Sequence, residues 1–79
     1  MSKEKGRPNP GDTVALVSIP PGMLEGLPEE DQQAIKDAVG KPALLNQYDD
    51  DGRAEVEFKD RNGLIHFIYV RPEFIRTIS

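Results

Sequence analysis

Seventy-nine residues bearing 14 acidic and 10 basic side chains, a net charge of −4, leave material for one core and no second one. The acidic balance works against non-specific attraction to phosphate backbones or anionic lipid, and the absence of cysteine removes disulfides, thiolate metal sites and cysteine nucleophiles. No segment approaches the roughly 18 apolar residues of a spanning helix, and Met1 to Gly11 has no apolar stretch of a secretory signal, so a cytoplasmic home is expected.

Residues 1–11 (MSKEKGRPNPG) offer no apolar side chain after Met1 and predict a flexible lead-in to a single domain over 12–79. Thr13 to Ile19 (TVALVSI) is apolar and β-branched between Gly11-Asp12 and Pro20-Pro21-Gly22, which predicts a buried first strand. Leu27-Pro28-Glu29-Glu30-Asp31 reads as a helix start, with proline at the first helical position and three carboxylates favoured by the dipole, and Gly40 as its stop. Leu27, Ile35, Ala38 and Val39 form its packing stripe, while Glu30, Gln33, Lys36 and Asp37 face water. A meander of three strands follows, Ala43 to Tyr48, Arg53 to Lys59 and Leu64 to Val70, with turns at Asp49-Asp50-Asp51-Gly52 and Asp60-Arg61-Asn62-Gly63. Pro72 ends the last of them, and a short turn over Pro72 to Ile75 leads into an extended piece at Arg76 to Ile78.

Two loops fit the hairpin at Asn62-Gly63. A two-residue type I′ loop pairs Phe58 with Phe67 and Val56 with Tyr69, placing the aromatics inside and leaving Ile68 and Val70 on the polar face. A three-residue loop with a bulge at Gly63 pairs Phe58 with His66 instead. The first is preferred because it leaves the only histidine in water.

The predicted fold is mainly β: about five antiparallel strands in a small, partly open barrel, with one helix between the first and second strands. The strings GDTVALV, GKPALLNQYDDDG, AEVEFKDRNG and HFIYVRPEFI resemble the small bacterial SH3-like barrel domains of the accessory-protein type and, more distantly, KOW-type modules. The resemblance covers roughly residues 11–75 and implies a five-stranded barrel with a binding role. It depends on turn glycines and alternating strands, and the family's barrels bind peptides, nucleic acids and other subunits alike. Two departures matter: the chain has no tryptophan and only Tyr48 and Tyr69 for an aromatic peptide groove, and the loop at Asp49–Asp51 is acidic where an RNA contact would be basic.

No chemical motif stands out. Asp49, Asp50 and Asp51 have the oxygen ligands a hard cation prefers, but an EF-hand anchored on Gly52 would need a ligand at Gln47 and a glutamate at Phe58, so they read as an acidic turn and no metal is expected. His66 has no apparent partners in sequence and reads as an ordinary strand residue. Ser2, Thr13, Ser18, Thr77 and Ser79 sit in no nucleophile frame, Glu55 and Glu57 read as the polar side of a strand, and no glycine loop for phosphate occurs. The expectation is a non-enzymatic, cofactor-free domain that binds another protein and no membrane. Its candidate contact residues are Tyr48, Asp49, Asp50, Asp51, His66, Ile68 and Val70, the last two forming a patch unless the helix covers them. The alternative is a KOW-like nucleic-acid module using Lys41, Arg53, Lys59, Arg61, Arg71 and Arg76.

Overall fold

The computed structural model describes residues 7–78. Its elements run β1 (Thr13–Leu16), α1 (Glu29–Ala38), β2 (Ala43–Tyr48), β3 (Ala54–Lys59), β4 (Ile65–Val70), a 3-10 turn at Pro72–Phe74 and β5 (Ile75–Thr77). The pairings between strands are all antiparallel and form one open sheet in the order β4-β3-β2-β1-β5, the mainly β fold with one helix between β1 and β2 that the sequence predicts. No helix among the described residues is long and apolar enough to cross a membrane.

One face of this sheet makes the core. Val14, Leu16, Leu45, Ala54, Val56, Phe58, Ile68, Val70 and Ile75 bury against Ala34 and Ile35 of α1, and Met23, Leu24 and Leu27 pack around them. The helix begins where Pro28 fixes the backbone, one position earlier than a first helical residue, with the Pro28 carbonyl accepting from the Gln32 amide. It stops where Gly40 takes φ +82°, and the Gly40 amide then donates to the Leu16 carbonyl, tying the helix exit to β1. The first strand ends at Leu16, short of Ile19: the Val17 amide still donates to the Phe74 carbonyl at 2.7 Å, but the Phe74 amide is taken by the Arg71 carbonyl in the 3-10 turn and the ladder goes no further.

Residues 1–6 of the predicted lead-in lie outside the described residues, but 7–11 are docked. Pro8 is buried, its carbonyl accepts from the Tyr48 hydroxyl at 2.6 Å, and the Gly11 amide donates to the Leu45 carbonyl at 2.8 Å. The Arg7 guanidinium lies 3.8 Å over the Tyr48 ring.

Both hairpins of the meander close with the same three-residue loop. Asp49 and Asp60 each accept two main-chain amides on Oδ1, from Asp51 and Arg53 in one loop and from Asn62 and Leu64 in the other. Their carbonyls accept from Gly52 and Gly63, which both sit at φ +84°. A methyl group on either glycine would meet nothing within 4 Å, so only backbone strain opposes it. Gly52→Ala and Gly63→Ala are therefore each expected to cost about 1 kcal/mol in a urea titration; a cost near zero would mean the loops relax to another turn.

The three-residue loop overturns the preferred register. Phe58 faces His66, Val56 faces Ile68 and Ala54 faces Val70. The physical reason is the Asp60 carboxylate, which satisfies the Asn62 and Leu64 amides only when Arg61, Asn62 and Gly63 form the loop. Ile68 and Val70 consequently fall to 7% and 2% exposure under the helix, while Ile65, Phe67 and Tyr69 turn outward at 51%, 53% and 45%.

Candidate functional site

The predicted contact residues do not assemble into one site. Ile68 and Val70 are core and unavailable to a partner. Tyr48 is spent on Pro8 and Arg7. Asp49 is committed to its own loop and to the Arg53 Nε at 3.0 Å, and these bonds, led by the Arg53 amide, hold its carboxyl below the ordinary 3.8. Asp51 lies 3.5 Å from the Arg53 guanidinium and Asp50 is exposed. No grouping of three metal-ligating side chains occurs among the described residues.

His66 departs most from its expected setting. It is half-buried, stacked on Phe58 with ring centroids 5.4 Å apart, and its Nε2 meets Asp60 Oδ2 at 2.9 Å. A carboxylate only accepts, so Nε2 carries the proton; Nδ1 faces Asp31 Oδ1 at 3.9 Å. The His66 hydrogen bond, followed by the Leu64 amide, holds the Asp60 carboxyl below its ordinary value. A second link from hairpin to helix joins Arg61 to Asp37 at 2.9 Å, and bonds from Gln33 and Arg61 lower the Asp37 carboxyl as well. These contacts fasten the start and end of α1 over the β3–β4 hairpin.

The register that buries Ile68 and Val70 creates a different surface. The bond from the Asp60 amide to the Leu64 carbonyl fixes which β4 residues face β3. Alternation then gives His66, Ile68 and Val70 to the β3 ladder and turns the amides and carbonyls of Ile65, Phe67 and Tyr69 to the outer edge. Among the described residues no strand pairs there. The same three residues present their side chains on the outer face, so exposed backbone and exposed apolar row coincide. Leu64, 62% exposed, lies on the other face, beside His66 and the helix.

Beside this edge lies a groove of about 320 Å³, lined by Met23, Leu27, Asp31 and Ile35 and by β4 from His66 to Tyr69. On the outer face, the neighbouring row on β3 is Glu55 and Glu57, which hold Asn46 between them at 3.1 Å each, followed by Lys59 beside Ile65. Sequence reasoning missed this surface because IHFIYV is apolar at five of six positions and shows no period of two. The signal that would have found it is the matched spacing of aspartate and glycine in the two loops.

Comparison with protein-family models, with curated proteins and with solved structures finds no match to this chain.

Proposed function

We propose that this chain is a cytoplasmic, non-enzymatic protein-interaction domain of the small SH3-like type, and that it takes an extended segment of a partner as an additional strand on β4. The observation that carries this reading is the coincidence, on Ile65, Phe67 and Tyr69, of outward main-chain groups and an outward apolar row. Sheets usually guard such an edge with lysine, proline, a bulge or a very short strand. The other edge is guarded in this way: β5 has three residues, follows Pro72 and carries Arg76. The six residues of β4 have none of these devices. An edge left open, long and apolar on one side of a sheet whose other edge is protected fits strand addition, in which main-chain bonds supply affinity and alternate side chains supply selectivity.

The nucleic-acid alternative loses ground, since Arg53 is paired with Asp49 and Asp51 and Arg61 with Asp37. Selection of random extended peptides on the protein, followed by amide-shift mapping, tests the reading. Enriched peptides are expected to shift Ile65 to Tyr69 and to lose binding by at least roughly ten-fold in Phe67→Lys, a guard residue of the kind the edge lacks. Salt-sensitive shifts with a short RNA at Lys59, Arg71 and Arg76, without any peptide response on β4, would replace it with the nucleic-acid function.

A further inference from the structure

We infer that the segment taken by the β4 edge is basic, with lysine or arginine alternating with apolar residues; this rests on the strand-addition reading and specifies its partner. A strand laid along Ile65, Phe67 and Tyr69 sends alternate side chains to opposite faces. One set enters the groove, where Met23, Leu27 and Ile35 provide apolar contacts and Asp31 provides a carboxylate 42% exposed. Glu30, in the same first turn of α1, is exposed one residue away. The other set lies beside Phe67 and Tyr69, with Glu57 and Glu55 next inward, directly across β4 from those two residues.

Two strand spacings, about 10 Å, separate the added strand from that glutamate row, a span that a long cationic side chain and a glutamate bridge together. Acids therefore border the site on both faces around Phe67 and Tyr69, with Lys59 beside Ile65 at its other end. Arg53, 5.9 Å from the Tyr69 ring, is held by Asp49 and Asp51, while Lys59 beside Ile65 and Arg71 beyond Val70 stand at the two ends and confine the partner's cationic positions to the middle of the strand. Cationic side chains on the partner meet attraction from either side, and acidic ones meet repulsion in a chain of net charge −4.

A second copy of this chain fits less well. It would bring the same acids to the seam, and a single six-residue edge falls short of the roughly 800 Å² per partner of a stable interface. A single extended segment asks for less area and fills both the groove and the outer row.

The test uses three end-blocked seven-residue peptides in which valine alternates with lysine, with serine or with glutamate, titrated into labelled protein at low salt. The lysine peptide is expected to shift the amides of β4, Met23 and Asp31 and to bind roughly ten-fold or more tightly than the serine peptide, with the glutamate peptide weakest. The paired change Asp31→Asn and Glu57→Gln is expected to bring the lysine peptide down to the serine level while leaving serine binding in place, and high salt should do the same. Equal binding of all three peptides at β4 would overturn the basic preference while the strand-addition reading stood. Shifts elsewhere, or none on β4 with any peptide, would overturn both. A concentration-dependent dimer in sedimentation, with broadening confined to β4, would assign the edge to a second copy and also overturn the inference.

Discussion

Ile68→Ala is expected to lower unfolding stability by about 2–4 kcal/mol, and Phe67→Ala by less than about 1 kcal/mol, although phenylalanine is the larger side chain. Ile68 sits at 7% exposure in the cluster with Val56 and Ile35, so its truncation leaves a hole that a one-layer core cannot close. Phe67 stands on the opposite face at 53% exposure, opposite Glu57, and its loss removes little packing. Urea midpoints with unchanged slopes decide the matter. The reverse order of costs would mean that Asn62-Gly63 forms a two-residue loop and that the exposed row on β4 does not exist. Because the proposed interaction uses that row, the pair of variants also tests its structural premise before any ligand is known.

Asp60→Ala is expected to be the most damaging change at any exposed or half-exposed polar position, with a fall in Tm on the order of 5–10 °C. Its carboxylate accepts from the Asn62 amide, the Leu64 amide and His66 Nε2, and no other side chain in the two loops joins a turn to the helix-facing side of the sheet in this way. Asp50→Ala, in the sister loop but without such bonds, is the control expected to leave Tm unchanged. The effect carries a pH signature. In the folded chain the Asp60 carboxyl lies below its ordinary 3.8, so the stability it contributes is present above that value and is lost as pH falls through the lowered one. Asp37 and Asp49 are lowered too and add to acid sensitivity in the same window. The gap in Tm between the wild-type chain and Asp60→Ala should therefore be full near neutrality and narrow below about pH 4. A variant indistinguishable from Asp50→Ala would remove the carboxylate from the account of register.

The local parts of the fold were legible. Pro28, the acids after it and Gly40 bracket the helix, and the two glycine turns bracket the meander, because each signal acts within a few residues of itself. What the sequence hid is non-local. Tyr48 and Pro8 meet across 40 positions, which turned part of a tail into a docked segment. Asp31, Asp60 and His66 converge from a helix, a loop and a strand, so a histidine that looks solitary in sequence lies between two carboxylates. The face of β4 was hidden for a different reason. With apolar residues on both sides, its hydrophobicity does not say which side is the core, and the choice passed to the loop. Asp60-Arg61-Asn62-Gly63 suits either loop, and the contacts that make His66 welcome beside the core, its stacking on Phe58 and its bond to Asp60, exist only once the strands have paired.

The repeated hairpin loop also partitions freedom to vary. In each, the first aspartate and the fourth-position glycine set the path of the chain; of the positions between them, Asp50 and Asn62 lend mainly their backbones, while Arg61 also reaches Asp37 and Asp51 reaches Arg53. Asp50 and Asn62 are therefore open to drift or labelling without disturbing the strands their loops join. The sheet is thus written in a few fixed letters with blanks between them, and a lineage could rewrite the blanks while keeping the open edge of β4 in place.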